Sequence, residues 1–284
     1  NGRYCYLDPY QGGQIVVAEV CRNLSCAGAT PLALTDCLNF GNPENPEVYY
    51  QLEWCIRGMA KACRTLGVPV VSGNVSLYNE SRGQAIYPTP VVGGLGLLED
   101  VNRHCRSEFP GDGLVVAVLG LAGWRSRSSD VAASEYLHVI HGQVMGKPVI
   151  DLGLESRVQE LCRDSIARGI ISSAHDCSEG GLAVALAECC IPNGVGFRAQ
   201  TQLPNRWDAA LFGERQSRIV VSLEREKWDE LASLAAETNV PLFRLGDTGG
   251  SRFRLGTQLD ASIDDLEAAW RGGLEAALDG VASV

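Results

Sequence analysis

The sequence predicts a two-domain protein of mixed α+β and α/β type, and three observations support this prediction. A length of 284 residues provides enough chain for two domains of ordinary size. Stretches with the apolar spacing of helices alternate with short apolar runs typical of strands. Pro, Gly and Asp cluster in residues 101–113, as in a segment that joins domains. We therefore expect a first domain at residues 1–108 and a second at residues 109–284.

The elements of the first domain are predicted in the order helix, strand, helix, strand, strand. Residues 13–28 have helical apolar spacing and end at a glycine, which suits a C-cap. The run PLALT at residues 31–35 predicts a strand. Pro46 opens a second amphipathic helix that ends near Gly67. The stretch VPVVSG then predicts a buried strand, and YPTPVVGGLGLLED predicts a strand that closes the domain.

The second domain continues this alternation after a buried strand at LVVAVLG. Four helices and four further strand regions follow from the same patterns. The helices are predicted at residues 151–168, at GGLAVALAECC, at 226–237 and near 262–273; the strands are predicted at GIISSAHD, VGFRA, SRIVVSL and near 240–256. Such an order fits either an α/β or an α+β domain.

The composition excludes two classes of partner. No apolar run approaches the roughly 20 residues that span a bilayer, so we expect no membrane insertion. The net charge is -10 and no stripe of Lys or Arg is present, which argues against binding nucleic acid. Eleven cysteines are scattered without repeated CxxC spacing, which favours reduced thiols in a cytoplasmic protein. An anionic ligand would therefore need metal ions or backbone N–H groups.

Polar residues follow the first two predicted strands, in loops expected at residues 36–45 and 72–82. They are Asp36, Asn39, Asn42 and Glu44 in the first loop, and Gly73, Asn74, Ser76, Asn79 and Glu80 in the second. Carboxylate and amide oxygens suit Mg²⁺, which completes its shell with water and phosphate oxygens, and glycine lets the backbone approach a phosphate. The alternative is that these residues only make turns and Asx caps.

A third candidate site lies at HDCSEGGLAVALAE in the second domain. Gly180 and Gly181 open a predicted helix and can offer N–H groups to an anion, while Asp176 can hold the accompanying metal. The alternative is that Asp176 or Ser178 is a plain N-cap. Neither GxGxxG nor GxxxxGK[ST] is present, so the usual dinucleotide and Walker sites are not supported.

The histidines are predicted to be structural or exposed, because no Glu or Cys stands at zinc-ligand spacing from them. They are His104, His138, His141 and His175. No nucleophile elbow is present that would support Ser-His-Asp catalysis.

Long stretches of the sequence resemble one enzyme family. They are LDPYQGGQIVVAEVCRNLSCAGATPLALTDCLNFGNPENPEVYYQ, GVPVVSGNVSLYNES, YPTPVVGGLGLLED, SEYLHVIHG, AHDCSEGGLAVALAE and LFGERQSRIVVS. They are similar to the second half of the synthetase subunit in the phosphoribosylformylglycinamidine synthase family, within the aminoimidazole-ribonucleotide-synthetase-like superfamily. The resemblance implies an N-terminal domain, here truncated at its start, whose sheet pairs into a barrel. A C-terminal α/β domain then covers the cleft.

The resemblance also implies an activity and partners. The family is an ATP-dependent carbon–nitrogen ligase of purine biosynthesis that converts formylglycinamide ribonucleotide and glutamine-derived ammonia to formylglycinamidine ribonucleotide, with ATP and Mg²⁺. The implied partners are the first half-unit of the same synthetase, a glutaminase subunit, a small bridging subunit and a second copy in a homodimer through the N-terminal sheet. The family's catalytic histidines lie in the first half-unit. No catalytic residue is therefore assigned here, and the chain alone is expected to be inactive.

Carried over by position, the family pattern assigns ligand roles to individual residues. Asp36 and Gly73 would contact ATP, Asn74 would ligate Mg²⁺ between the phosphates, and Ser76 would contact the ribonucleotide substrate. An auxiliary nucleotide or metal site is implied by Asp176, Gly180, Gly181, Glu214 and Gln216. The GERQSR segment departs from the family's GESQSR at Arg215, which puts a substrate contact there in doubt.

Two alternatives to a catalytic half-site stay open at this point. The chain can be a non-catalytic nucleotide-binding assembly module, or a paralogous ATP-dependent synthetase of the same superfamily. The combination of TDCLNFGNPE with GNVSLYNE argues against the paralogue.

Overall fold

The computed structural model describes residues 1–124, 127–199 and 202–282. Within them the chain forms a three-stranded sheet, a seven-stranded sheet and a two-stranded ribbon, with helices between the strands. This mixed helix and sheet content confirms the predicted fold class. The division between residues 108 and 109 stays a prediction.

The elements of the first part of the chain, in order, are α1 (Gly2–Leu7), α2 (Pro9–Cys26), β1 (Thr30–Asn39), α3 (Pro46–Leu66), β2 (Val70–Ser76), β3 (Glu80–Ser81), β4 (Gln84–Ala85) and β5 (Thr89–Leu97). β1 is the middle strand of the first sheet, parallel to β2 and antiparallel to β5. Helix α1 was not predicted. Helix α2 begins at Pro9 rather than Gly13, because the Asp8 side chain accepts a hydrogen bond from the Gln11 N–H and caps it.

Helices α2 and α3 cross at two glycines. A Cβ atom on Gly13 would lie 2.2 Å from the backbone oxygen of Cys55, and one on Gly58 would lie 2.1 Å from the backbone oxygen of Tyr10. Only residues without a side chain allow this approach. The predicted end of α3 at Gly67 is confirmed, where the residue takes a φ of 73°.

One face of the first sheet is covered by helices and the other is bare. Leu34 and Leu38 are buried with α2 and α3 on the covered face. On the bare face Val91 and Leu95 are 54% and 69% exposed. The prediction that VPVVSG forms a buried strand is wrong. Val71 is 64% exposed, because β2 is an edge strand of this sheet.

Strands β1 and β2 are longer than predicted. β1 continues through Asn39 and β2 through Ser76, so that Asp36, Gly73 and Asn74 lie within strands. The prediction of polar loops at 36–45 and 72–82 is therefore wrong for the first residues of each stretch. These polar residues extend the strands because each one pairs in register with a residue of the neighbouring strand.

The elements of the second part are β6 (Val115–Leu119), α4 (Glu135–His141), α5 (Leu152–Ala167), β7 (Ser173–Asp176), α6 (Gly181–Cys190), β8 (Phe197–Ala199), α7 (Trp207–Phe212), β9 (Ile219–Leu223), α8 (Trp228–Glu237), β10 (Leu242–Thr248), β11 (Arg252–Leu255), β12 (Leu259–Ser262) and α9 (Ile263–Ala282). The seven strands lie in the order β12-β11-β8-β10-β6-β9-β7. Their pairs are antiparallel except that β8 and β11 run parallel. This pattern selects the α+β alternative.

Two apolar cores lie against the second sheet. Alternate residues of β6 point to opposite faces, so that Val115 and Leu119 join the core formed with α5 and α8, while Val116 and Val118 join the core formed with α6. Helix α2 packs against α5 and thereby connects the two sheets. Among the described residues, no helix combines the length and apolarity needed to cross a membrane.

Candidate functional site

Four of the predicted site residues lie together where β1 pairs with β2; we call Asp36, Gly73, Asn74 and Ser76 the first-sheet edge. Asp36 pairs with Gly73 in the parallel register. A Cβ atom on residue 73 would lie 2.0 Å from Asp36 Oδ1. Glycine is therefore required at position 73 for the Asp36 carboxylate to lie where it does.

The first-sheet edge is divided between the two faces of the sheet. Residues two positions apart in a strand point to the same face. The Asp36 side chain therefore lies with the buried Leu34 and Leu38 on the covered face. Asn74 pairs with Cys37 and lies on the bare face, where its Nδ2 atom is 3.4 Å from Cys37 Sγ. Ser76 lies two residues further along the same face. The structure thus brings the four residues to one pair of strands but not to one surface.

The C-terminal ends of β1 and β2 are tied together by Asn79. Its Nδ2 group donates hydrogen bonds to the backbone oxygens of Phe40 (3.0 Å) and Ser76 (2.8 Å). The Ser76 hydroxyl lies 3.3 Å from Asn79 Oδ1. Asn79 is therefore a structural cap, as the turn alternative predicted for such residues. The amide oxygen of Asn74, by contrast, accepts no hydrogen bond from any described residue.

A groove with a volume of about 630 Å³ runs beside Asp36 between α3 and the two strands. Its walls are apolar apart from Asp36 and Arg64, and are formed by Leu38, Ile56, Met59, Ala60, Cys63 and residues 67–70. Burial raises the pKa of the Asp36 carboxyl. The groove has the size and apolar lining of small-molecule sites, with one carboxylate to orient a ligand.

The residues of the predicted auxiliary site also meet, but they bind one another. We call Tyr4, Arg22, Glu135, Glu155, Asp176, Gly180, Glu214 and Gln216 the Arg22–Glu214 cluster. The Glu214 carboxylate accepts hydrogen bonds from the Gly180 N–H (2.9 Å), the Glu135 N–H (2.7 Å) and the Tyr4 hydroxyl. The N–H group that was predicted to meet an anionic ligand therefore meets a carboxylate of the chain. Gly181, the first residue of α6, is buried behind it.

Arg22 forms the other half of this cluster and was missed in the sequence. Its guanidinium group is fully buried and donates to Glu155 Oε1 (2.8 Å), Gln216 Oε1 (3.2 Å) and Asp176 Oδ2 (3.4 Å). Ser217 Oγ donates to the second oxygen of Glu155 at 2.6 Å. A charged residue on the apolar face of a predicted helix was the available signal, since such a residue needs a buried partner.

The charges in this cluster shift one another's pKa values. Burial would raise the pKa of Asp176, but the adjacent His175 imidazole and the charge of Arg22 hold it below its usual value. Burial would lower the pKa of His175, but the Asp176 carboxylate at 3.6 Å and the Glu188 carboxylate at 3.1 Å outweigh this and raise it to about 9. Burial raises the pKa of Glu214, and the three hydrogen bonds that it accepts oppose this effect.

A magnesium ion fits the two candidate regions differently. On the bare face Asn74 offers an amide oxygen that has no partner among the described residues, which suits an ion that takes most of its ligands from phosphate and water. Asp176 has Arg22 Nε 3.4 Å from one oxygen and His175 Nδ1 3.6 Å from the other, so positively charged side chains already lie where a metal ion would approach. No group of three or more His, Cys, Asp or Glu side chains is placed to hold a metal ion in the described part of the chain.

Comparison with known proteins identifies two family domains. Residues 1–98 match AIR synthase related protein, N-terminal domain, and residues 110–256 match AIR synthase related protein, C-terminal domain. Phosphoribosylformylglycinamidine synthase subunit PurL of Thermomicrobium roseum is 51% identical over 96% of the chain, and that of Anaeromyxobacter dehalogenans strain 2CP-C is 49% identical over 98%. The chain spans 37% of the length of each of these relatives.

Solved structures of low sequence identity share the fold. The match to T. maritima PurL complexed with FGAR covers 94% of this chain and 44% of the length of that protein, with a TM-score of 0.72 and 20% identity. The match to T. maritima PurL complexed with ATP covers 92% of this chain and 42% of the length of that protein, with a TM-score of 0.67 and 18% identity.

Proposed function

Since this chain belongs to the AIR synthase related protein family, we propose that it supplies one side of the active site of phosphoribosylformylglycinamidine synthase, an ATP-dependent carbon–nitrogen ligase of purine biosynthesis. The observation that carries this proposal is the pairing of Asp36 with Gly73 beside an open groove. The two residues belong to TDCLNFGNPE and SGNVSLYNE, two of the motifs on which the resemblance to the family depends. A lone carboxylate in an apolar groove, next to a glycine that brings the backbone close, suits a nucleotide.

We assign the roles as follows. Asp36 and Gly73 contact ATP, and Ser76 contacts formylglycinamide ribonucleotide. Asn74 would hold Mg²⁺, which when bound neutralises charge on the phosphates. Because β2 is an edge strand, a nucleotide that passes around its outer side can reach the groove at Asp36 on one face and Asn74 on the other. The residues of this chain thus bind and orient the reactants.

The reaction proposed is phosphoryl transfer to an amide oxygen, followed by displacement of phosphate by ammonia. A positioned amide oxygen and γ-phosphate gain most of their reactivity from orientation and from charge neutralisation. None of the four histidines lies on β1 or β2: His138 and His141 are on α4, His175 is on β7 and His104 follows β5. The catalytic groups would come from the first half-unit of the synthetase, so the chain alone is expected to be inactive.

The partners proposed are the first half-unit, a glutaminase subunit and a small bridging subunit. The bare face of the first sheet supports a partner there, since it exposes Val91, Leu95 and Leu97 in a row. A sister sheet, from the first half-unit or from a second copy in a homodimer, would cover it. All eleven cysteines are free thiols, which suits the reducing cytoplasm.

The test is ATP titration of the chain with and without Mg²⁺, followed by turnover of the whole synthase, for the wild type and for Asn74→Ala. Loss of the amide oxygen should weaken binding several-fold when Mg²⁺ is present and leave binding unchanged without it. Thr65→Ala, an exposed change on α3, is the control. Unchanged turnover of Asn74→Ala in the whole enzyme, with lowered thermal stability, would favour the non-catalytic assembly module instead.

A further inference from the structure

The Glu214 carboxylate has the surroundings of a bound anion. Three donors from separate segments converge on it, namely the Tyr4 hydroxyl from α1, the Glu135 N–H at the start of α4 and the Gly180 N–H that precedes α6. Backbone N–H groups of this kind form hydrogen bonds to phosphate and carboxylate oxygens in anion sites. Glu214 itself is buried, with 4% of its surface exposed. The carboxylate therefore fills a site with three preformed donors.

The Arg22 guanidinium has the surroundings of a bound cation. Two carboxylates and one amide oxygen converge on it, from Glu155 on α5, from Asp176 at the end of β7 and from Gln216. Oxygen donors of these types are also the ones that Mg²⁺ and Mn²⁺ take. Because the guanidinium group is fully buried and paired, it supplies positive charge to both carboxylates without a metal, and His175 adds a second positive charge beside Asp176.

The two centres belong to one unit. Gln216 accepts a hydrogen bond from Arg22 through Oε1 and donates one through Nε2 to the backbone oxygen of Glu214 at 3.1 Å. Tyr4 and Arg22 lie on α1 and α2, whereas all of their partners lie between residues 135 and 216. The cluster therefore joins the helices of the first sheet to the second sheet.

We propose that the Arg22–Glu214 cluster is a self-filled ligand site, in which Glu214 takes the place of an anion and Arg22 the place of a metal cation. The filled site fastens α1 and α2 to the second sheet. It follows that Asp176, Gly180, Glu214 and Gln216 admit neither nucleotide nor magnesium while both side chains are in place, and that their role is to fix the orientation of the two sheets.

The anion half is tested by removing the carboxylate in the full chain and offering a replacement. Glu214→Ala should lower the Tm by roughly 4–10 °C, since three buried donors lose their acceptor. Millimolar inorganic phosphate should then recover at least half of this loss. Glu214→Gln, which keeps one acceptor oxygen and fills the space, should show a smaller loss and no recovery.

Sodium chloride at matched ionic strength is the control for general salt effects on the Tm. Glu226→Ala removes an exposed carboxylate and is the control for loss of one negative charge. A phosphate response of Glu214→Ala no larger than that of the wild type and of Glu226→Ala would overturn the proposal. Adding Asp36→Asn, which removes the proposed ATP contact, should leave this response in place. Failure of the proposed nucleotide site is thus distinguishable from failure of the self-filled site.

The cation half is tested with Mn²⁺ as the probe. Electron paramagnetic resonance should detect bound Mn²⁺ in Arg22→Ala and none in the wild type at the same concentration. The bound signal should disappear again in Arg22→Ala/Asp176→Asn. If folded Arg22→Ala binds no more Mn²⁺ than the wild type, the Arg22 guanidinium does not occupy the position of a metal cation.

Discussion

The first-sheet edge and the Arg22–Glu214 cluster contain similar residues but differ in what those residues bind. Both place carboxylates, amides and glycines at or near the ends of strands, and both were predicted as ligand sites. At the first-sheet edge the Asp36 carboxylate lies on an open groove and the Asn74 amide oxygen has no partner among the described residues. In the cluster the same groups are buried and paired. Polar groups at a strand end are therefore free to bind a ligand only where no other side chain or N–H group of the chain already binds them.

Replacing Arg22 by methionine should have the largest effect on this difference. Arg22→Met keeps an apolar stem but leaves Glu155 buried without a cation and Asp176 with His175 alone, which should cost about 3–5 kcal/mol of unfolding free energy. Arg57→Ala removes an exposed helical pair with Glu53 and should cost at most about 0.5 kcal/mol. Urea denaturation measures both. Equal losses would show that the cluster contributes no more than a surface ion pair.

The pH dependence of stability should distinguish the two regions next. His175 faces Asp176 and Glu188, which raise its pKa to about 9, so folding favours its charged form. A raised pKa contributes stability that is complete below the unfolded value of about 6.5 and is lost as the pH rises through about 9. The unfolding free energy should therefore fall on the order of 2–3 kcal/mol across this window.

His175→Gln should flatten the curve between pH 6.5 and 9, and His138→Gln, an exposed change on α4, should leave it in place. Asp176 does not add to this window, because its pKa lies below its usual value and its contribution is lost only in acid. If unfolding free energy falls with pH equally steeply in His175→Gln and the wild type, His175 does not form a stabilising charged contact with Asp176 and Glu188.

A methyl group at position 73 should have the smallest effect on stability and act mainly on ligand binding. Gly73→Ala places Cβ 2.0 Å from Asp36 Oδ1 and 2.8 Å from the Asp36 backbone oxygen, so the carboxylate must rotate away from the groove and the strand pair must shift slightly. We expect about tenfold weaker ATP binding, equivalent to about 1.4 kcal/mol, with a stability loss of about 1 kcal/mol. Gly111→Ala, where a Cβ meets nothing and φ is not positive, is the control for the substitution itself. Unchanged ATP affinity in Gly73→Ala would remove Asp36 from the proposed contacts.

Much of the fold followed from local sequence patterns, and the departures have physical causes. Helix α3 ends where its apolar spacing and Gly67 predicted, because these signals are local. The exposure of Val71 could not be predicted, since an apolar run reads the same at the edge of a sheet as in its centre. The polar ends of β1 and β2 were read as loops for a related reason. Their strand conformation comes from pairing with each other.

The candidate site was predictable in its residue types and not in its partners. Asp36 and Gly73 were singled out separately, and the parallel register brings them together. The role of Glu214 depends on Tyr4, 210 positions away, and that of Glu155 depends on Arg22, 133 positions away. No local pattern reports such pairs. A charged residue on an apolar helix face shows only that a partner must exist.

These long separations also determine when the cluster can form during synthesis. Arg22 leaves the ribosome well before Asp176 and Gln216, which lie 154 and 194 positions later. Contacts that close such long loops form late in folding. Until then the side of α2 that carries Arg22 stays uncovered, with an unpaired guanidinium group on it. The order of translation therefore lets α2 pack on α3 and β5 first, and on α5 and β7 only after those two elements have been made.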